Sequence, residues 1–259
     1  MTGDNDWYYL YNGPNESLTG QTKITEQQLP TMADGNKAVG PNLSCPFVPV
    51  LPLTASKAAV QASIDRVVAT NRGGTTGNLG LQAGWWTLSP RWTGLWGGTP
   101  TAGLPNGAVS LPLPYNALNM QKVVIYMTDG NNEWYDWPGG APGNGPVYNN
   151  SDNSKPDADY TAYGRLSENR LNVSTVSIGS AKVELDKRTA ALCASMKTAG
   201  ITIYTIIFSH GGYIDPATQA LWKGCASKPE NYFNTPSQAD LAVAFQQIGT
   251  QLASLRLAL

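Results

Sequence analysis

The sequence predicts an α/β fold whose sheet is mostly parallel and covered by helices in three layers. Two short apolar runs, residues 122–127 and 201–208, are rich in β-branched residues and read as strands, the first buried on both faces. Helical patterns lie before, between and after them, and strands alternating with helices build parallel sheets. Ligands of such sheets sit in loops at the carboxyl ends of the strands, which directs attention to Asp129.

Residues 1–50 are rich in Gly, Pro, Asn and Thr and read as an irregular insertion or linker, with the α/β domain over 51–259. Pro46, Pro49 and Pro52 restrict the apolar run at 46–53 to an edge strand at most. Thr54 then caps a helix with Ala59, Val60, Ile64, Val67 and Val68 on one face. After the loop at 71–77, a second helix over 78–88 carries Leu79, Ala83 and Trp86 on one side. Long Pro/Gly-rich insertions follow at 89–119 and 131–157, a length that usually marks function or disorder. A helix over 184–198 stops at Gly200, which suits the position after a helix end. Asp215-Pro216 opens a short helix to about Gly224. Ser237 to Asp240 start the last helix as a variant capping box, and Leu241, Phe245, Ile248, Leu252 and Leu255 form its apolar stripe.

Composition narrows the function. Charged residues make up 14% of the chain, against roughly 25% in an average soluble domain. Net charge is −1 with no Lys/Arg cluster, so nucleic-acid binding by counterion release is not expected. No apolar run reaches the roughly 18 residues of a membrane span, and the first ten residues have no basic segment of an export signal. Cys45, Cys193 and Cys225 form no C-x-x-C pair, and with His210 the only histidine a zinc site is disfavoured. Cys193, on the helix before strand 201–208, and Cys225, ending the helix after it, can share one flank of the sheet and are expected to form a disulfide. Cys45 is then left over.

Catalysis finds little support. A Ser-His-Asp arrangement would have to use His210, and neither a G-x-S-x-G elbow nor a phosphate-binding G-x-x-x-x-G-K-[ST] loop is present. Asp129, Glu133 and Asp136 offer carboxylates, but such residues in a Gly/Asn-rich loop more often face solvent or a cation. Thr75 in a Gly-rich loop and Asp129 beyond a strand supply two hard oxygen ligands suited to Mg²⁺ or Ca²⁺. Taken separately, a helix-capping Thr and a turn-forming Asp account for both. The tryptophans of the long loops either pin those loops or present an aromatic surface, and the second is expected of Trp134 and Trp137.

Together the motifs resemble something specific. LPLT (51–54), GGTTGNLGLQAGWWTLSP (73–90), KVVIYMTDGNN (122–132), TAALCASMKTAGITIYTIIF (189–208) and CASKPENYFNTP (225–236) are similar to the von Willebrand factor type A (vWA) portion of TadG-like, Flp/Tad-type pilus-assembly proteins. The resemblance implies a Rossmann-like three-layer fold and a metal-ion-dependent adhesion site with Thr75 as hydroxyl ligand and Asp129 as second carboxylate. Thr76, Asn131, Glu133, Trp134 and Trp137, in the same two loops, become the candidate partner contacts. It further implies a non-enzymatic module that binds other pilus-assembly or surface proteins, in the periplasm or at the cell surface. A glycan-binding or carbohydrate-active protein using the Trp-rich loops is the alternative. The family's D-x-S-x-S, which supplies three direct metal ligands, occurs nowhere in this sequence. The expectation is therefore weak Mg²⁺ or Ca²⁺ binding, and a chain that is the C-terminal part of a longer exported protein, without the N-terminal strand and helix and with any membrane anchor upstream.

Overall fold

The computed structural model describes residues 49–67, 75–96, 111–134, 162–164, 166–209 and 212–257, with Ser167 and residues 254–257 as backbone alone. Cys45, Asp136, Trp137, His210, most of residues 1–50 and the side chain of Leu255 lie outside the described residues. The chain divides into two compact units, one of Val50–Lys57, Thr75–Asn132 and Leu185–Leu259, the other of Met1–Pro49, Ala58–Gly74 and Glu133–Glu184.

The first unit is α/β, built on a small parallel sheet. Strands β1 (Val123–Thr128), β2 (Thr202–Ile207) and β3 (Tyr232–Asn234) lie in the order β1-β2-β3. Val123 pairs with Thr202 through to Thr128 with Ile207, and Thr205, Ile206 and Ile207 pair with Tyr232, Phe233 and Asn234. Strand β3 is too short to show a period in the sequence. It is held by bonds at its ends, where both the N–H and the hydroxyl of Thr235 donate to Ile207 C=O at 2.8 Å.

Side chains alternate across β2, so successive residues join different cores. Ile203 and Ile207 pack with Leu81 and Leu88 of helix α2 (Gly77–Leu88), Cys193 and Met196 of α3 (Ile178–Thr198), and Trp222 and Cys225 of α4 (Pro216–Cys225). Tyr204 and Ile206 pack instead with Ile248 of α5 (Gln238–Leu257). Helices therefore cover both faces of β2. Strand β1 departs from the expected double burial: Ile125 is 41% and Met127 51% exposed. They share a face with Val123, which joins the α5 core, but α5 seats on β2 and β3 through Leu241, Ile248 and Leu252 and leaves the rest of β1 uncovered.

Local signals explain the helix ends. At the end of α3, Gly200 takes φ +80°, Gly200 N–H donates to Lys197 C=O and Ile201 N–H to Met196 C=O, each at 3.0 Å. That is the paired closure a glycine permits. Asp215 caps α4 by accepting from Thr218 N–H at 2.8 Å. Ser237 Oγ accepts from Asp240 N–H at 3.2 Å and donates to the Asp240 carboxylate at 2.5 Å, so the aspartate folds onto the hydroxyl instead of the backbone. Helix α3 begins six residues before the expected residue 184, because Ser177 supplies an earlier cap to Ser180 N–H.

Three expected apolar faces are corrected. In α2 the buried residues are Gly77, Asn78, Leu81 and Leu88, whereas Trp86 is 39% exposed. In α5 Phe245 leaves the stripe and Ala244 takes its place beside Ile248. Helix α1 (Lys57–Asp65) buries no residue, and Val60, Ile64 and Val67 stand exposed. Periodicity locates such faces but not the surface, if any, that covers them.

The elements around the sheet are tied together by a disulfide and by a buried cation. Cys193 and Cys225 form a disulfide with Cα atoms 5.2 Å apart, joining α3 to α4 across the first core. Lys122, just before β1, is buried, and its ammonium donates to Leu88 C=O and to Leu113 C=O while lying 4.5 Å from the centre of the Tyr115 ring. Burial lowers its pKa from 10.5 to about 8. Among the described residues no helix is long and apolar enough to cross a membrane.

In the other unit, Leu166, Leu171, Ala181 and Trp134 are buried. Asn169 and Asn172 adopt left-handed backbone, which asparagine tolerates better than most residues. Arg170 pairs with Glu168 at 2.7 Å.

Candidate functional site

The carboxyl end of β1 runs directly into a turn closed by its own last residue. Thr128 Oγ1 accepts from Gly130 N–H at 3.3 Å and donates to Gly130 C=O at 3.1 Å, while Thr128 C=O accepts from Phe208 N–H at 2.8 Å. The hydroxyl holds the turn tight, and Asp129 at its tip is exposed to solvent. This is the carboxylate position the sequence identified.

The α2 entry segment packs onto this turn. Gly77 N–H donates to Asn132 Oδ1 at 2.8 Å. A Cβ on Gly77 would lie 2.5 Å from Tyr126 Oη, 2.8 Å from Asn132 Oδ1 and 3.3 Å from Trp222 Cζ2, so only glycine fits this close approach. Tyr126 stacks on Trp222 with ring centres 4.4 Å apart. Burial, and secondly the negative charge of Asp129, push the Tyr126 hydroxyl well above its ordinary pKa of 10.0 and keep it neutral. Thr75, Thr76, Asp129 and Asn131 thus belong to two adjoining segments of one unit.

Each expected site residue can now be placed. Thr75 is half-buried beside the start of α2. Thr76, rather than Thr75, occupies the position before the helix, and its side chain makes no capping bond. Asn131 is half-buried with its Oδ1 out of contact with solvent and without a hydrogen-bond partner. Glu133 is exposed and belongs to the other unit. Trp134, expected at the surface, is 2% exposed, with Tyr163 6.4 Å away between ring centres, so its ring is not offered to a partner. Trp86, Trp92 and Trp96 stack in series at 5.1 and 5.4 Å, pinning the turn after α2.

Asn132 is the residue that the sequence reading did not single out. It is 1% exposed, and besides accepting from Gly77 its amide donates to Asp186 Oδ1 at 2.8 Å and to Thr189 Oγ1 at 3.2 Å. Its only sequence signal is a second asparagine after the TDG turn.

A hard divalent cation wants about six oxygens. Among the described residues no group of three or more Asp, Glu, His or Cys is placed to hold a metal ion. Thr75 and Asp129 offer two oxygens, one half-buried and one solvated, which do not make such a shell by themselves.

No protein-family model matches the chain, and no curated protein does. Among solved structures it is similar to proximal thread matrix protein 1 from the mussel byssus, at 17% identity and a TM-score of 0.37, over 78% of this chain and 29% of that one. The chain thus spans less than a third of that protein's solved length, and a likeness this distant carries no argument.

Proposed function

We propose that this chain is a vWA-like module that binds another protein of a Tad-type pilus or surface assembly and catalyses no reaction. The observation that supports the reading best is the junction of the α2 entry segment with the turn after β1. It lies at the carboxyl end of a parallel strand, where open α/β sheets bind their ligands. Helices on both faces of β2 fit the three-layer arrangement of that family. The exposed Asp129 and the Thr75–Thr76 pair suit recognition of a polar group on a partner surface. The buried disulfide fits the periplasm or cell surface, where such bonds persist.

The test is surface plasmon resonance of the purified chain against the recombinant proteins encoded beside it, with a glycan array in parallel. Binding of one of those proteins, weakened at least tenfold by Asp129→Ala at unchanged thermal stability, supports the proposal. Specific capture of a glycan with no protein partner overturns it.

A further inference from the structure

We infer that Asn132 is the positioning residue of this site, and that its side-chain amide, not a divalent cation, holds the α2 entry segment to the turn after β1. The inference rests on reading these two segments as the binding site and concerns what keeps them in place. A carboxamide has one acceptor oxygen and two N–H donors. In Asn132 the oxygen takes Gly77 N–H from α2, and the nitrogen gives one bond to the Asp186 carboxylate and one to Thr189, both on α3. Thr189 is itself fixed, donating to Leu185 C=O at 2.8 Å within the helix. One buried side chain therefore joins three parts of the unit: the segment after β1, the amino end of α2 and the middle of α3.

The surroundings leave little slack. Asn132 is 1% and Thr189 0% exposed, so water does not compete for the bonds to Gly77 and Thr189, while the bond to Asp186 is half-buried. The missing Cβ of Gly77 is what lets the backbone come within reach of the amide. Bridging two loops is the work a metal ion performs where carboxylates and hydroxyls converge on it. The convergent group here is an amide already satisfied by three bonds, whereas the exposed Asp129 is left to meet a partner.

Amide exchange of the full chain, read by NMR at Gly77, is the test. In the unsubstituted protein the Gly77 amide should exchange at the same rate in excess EDTA, millimolar Mg²⁺ or millimolar Ca²⁺. Asn132→Ala should speed it roughly tenfold or more while the β2 amides stay protected. Asp186→Asn, which keeps an oxygen acceptor and removes the charge, should leave Gly77 protected. Protection that appears only with Mg²⁺ or Ca²⁺ overturns the inference without bearing on whether a protein partner binds. So does a loss in Asp186→Asn as large as that in Asn132→Ala. Because the unsubstituted protein decides the cation question, a poorly folding variant does not remove the test.

Discussion

Gly77 provides the sharpest test of the geometry at the carboxyl end of β1. In Gly77→Ala the added methyl would start 2.5 Å from Tyr126 Oη and 2.8 Å from Asn132 Oδ1. Ordinary contact begins near 3.4 Å, so the start of α2 must retreat by most of an ångström or Tyr126 must leave its stack on Trp222. Overpacking of this kind costs about 1–3 kcal/mol. Losing the Gly77–Asn132 bond adds about 1 kcal/mol, and the better helix propensity of alanine returns at most about 1 kcal/mol. The expected net loss is about 2 kcal/mol, a fall in Tm of roughly 4–8 °C for a domain of this size. Gly80 and Gly84 on the same helix have nothing within 4 Å of their missing Cβ. Either one changed to alanine should therefore be neutral or stabilising, by about 0.5–1 kcal/mol. Urea titration of the three variants separates the cases. A Gly77→Ala protein as stable as Gly80→Ala would mean that the close approach at Tyr126 and Asn132 is not real.

Further outcomes follow from other contacts. Replacing both Cys193 and Cys225 by alanine should cost roughly 3–4 kcal/mol, since the bond closes a loop 32 residues long; an unchanged urea midpoint would count against the bond. Lys122 has its folded pKa lowered to about 8 from 10.5, so between those values the unfolded chain binds the extra proton and stability should rise with pH. Above about pH 10 the trend should reverse, because Tyr126, Tyr204 and Tyr232, all with raised pKa, stay protonated only when folded. Lys122→Met should abolish the rise and keep the reversal, and an unaltered slope in that variant would assign the effect elsewhere. Calorimetry with Mg²⁺ or Ca²⁺ should show dissociation constants no tighter than about a millimolar, since Thr75 and Asp129 alone make a poor shell. Micromolar binding that survives Asp129→Ala would remove both the weakness and the site.

The sequence was most legible where a local rule determines the outcome. The apolar runs became β1 and β2, Asp215-Pro216 opened α4, Gly200 closed α3, and the two cysteines flanking β2 joined. It was least legible where burial depends on distant partners. Trp86, on the expected packed side of α2, is 39% exposed, whereas Trp134, in a Gly/Pro-rich stretch and expected at the surface, is buried. Strand β3 exists because Ile207 and Ile203 offer carbonyls to Thr235 and Asn231, not because Tyr232 and Phe233 announce it. Of the site, Asp129 and the 75–77 segment could be read from Gly and Asp at turn positions. Asn132 could not, because its three bonds reach residues 55, 54 and 57 positions away.

The Cys193–Cys225 bond also sets how the chain can carry load. The loop it closes contains the end of α3, the whole of β2 and all of α4 but its last residue, so tension entering along α3 passes through sulfur and bypasses the central strand. Pulled from its ends, the oxidised chain could never pay out that loop. Its fully stretched length would fall short of the reduced chain's by roughly 110 Å, at about 3.5 Å per residue over the 32-residue separation. The strand at the centre of the sheet, with α4 after it, thereby lies in the stretch that end-to-end traction cannot draw out straight until the bond is reduced.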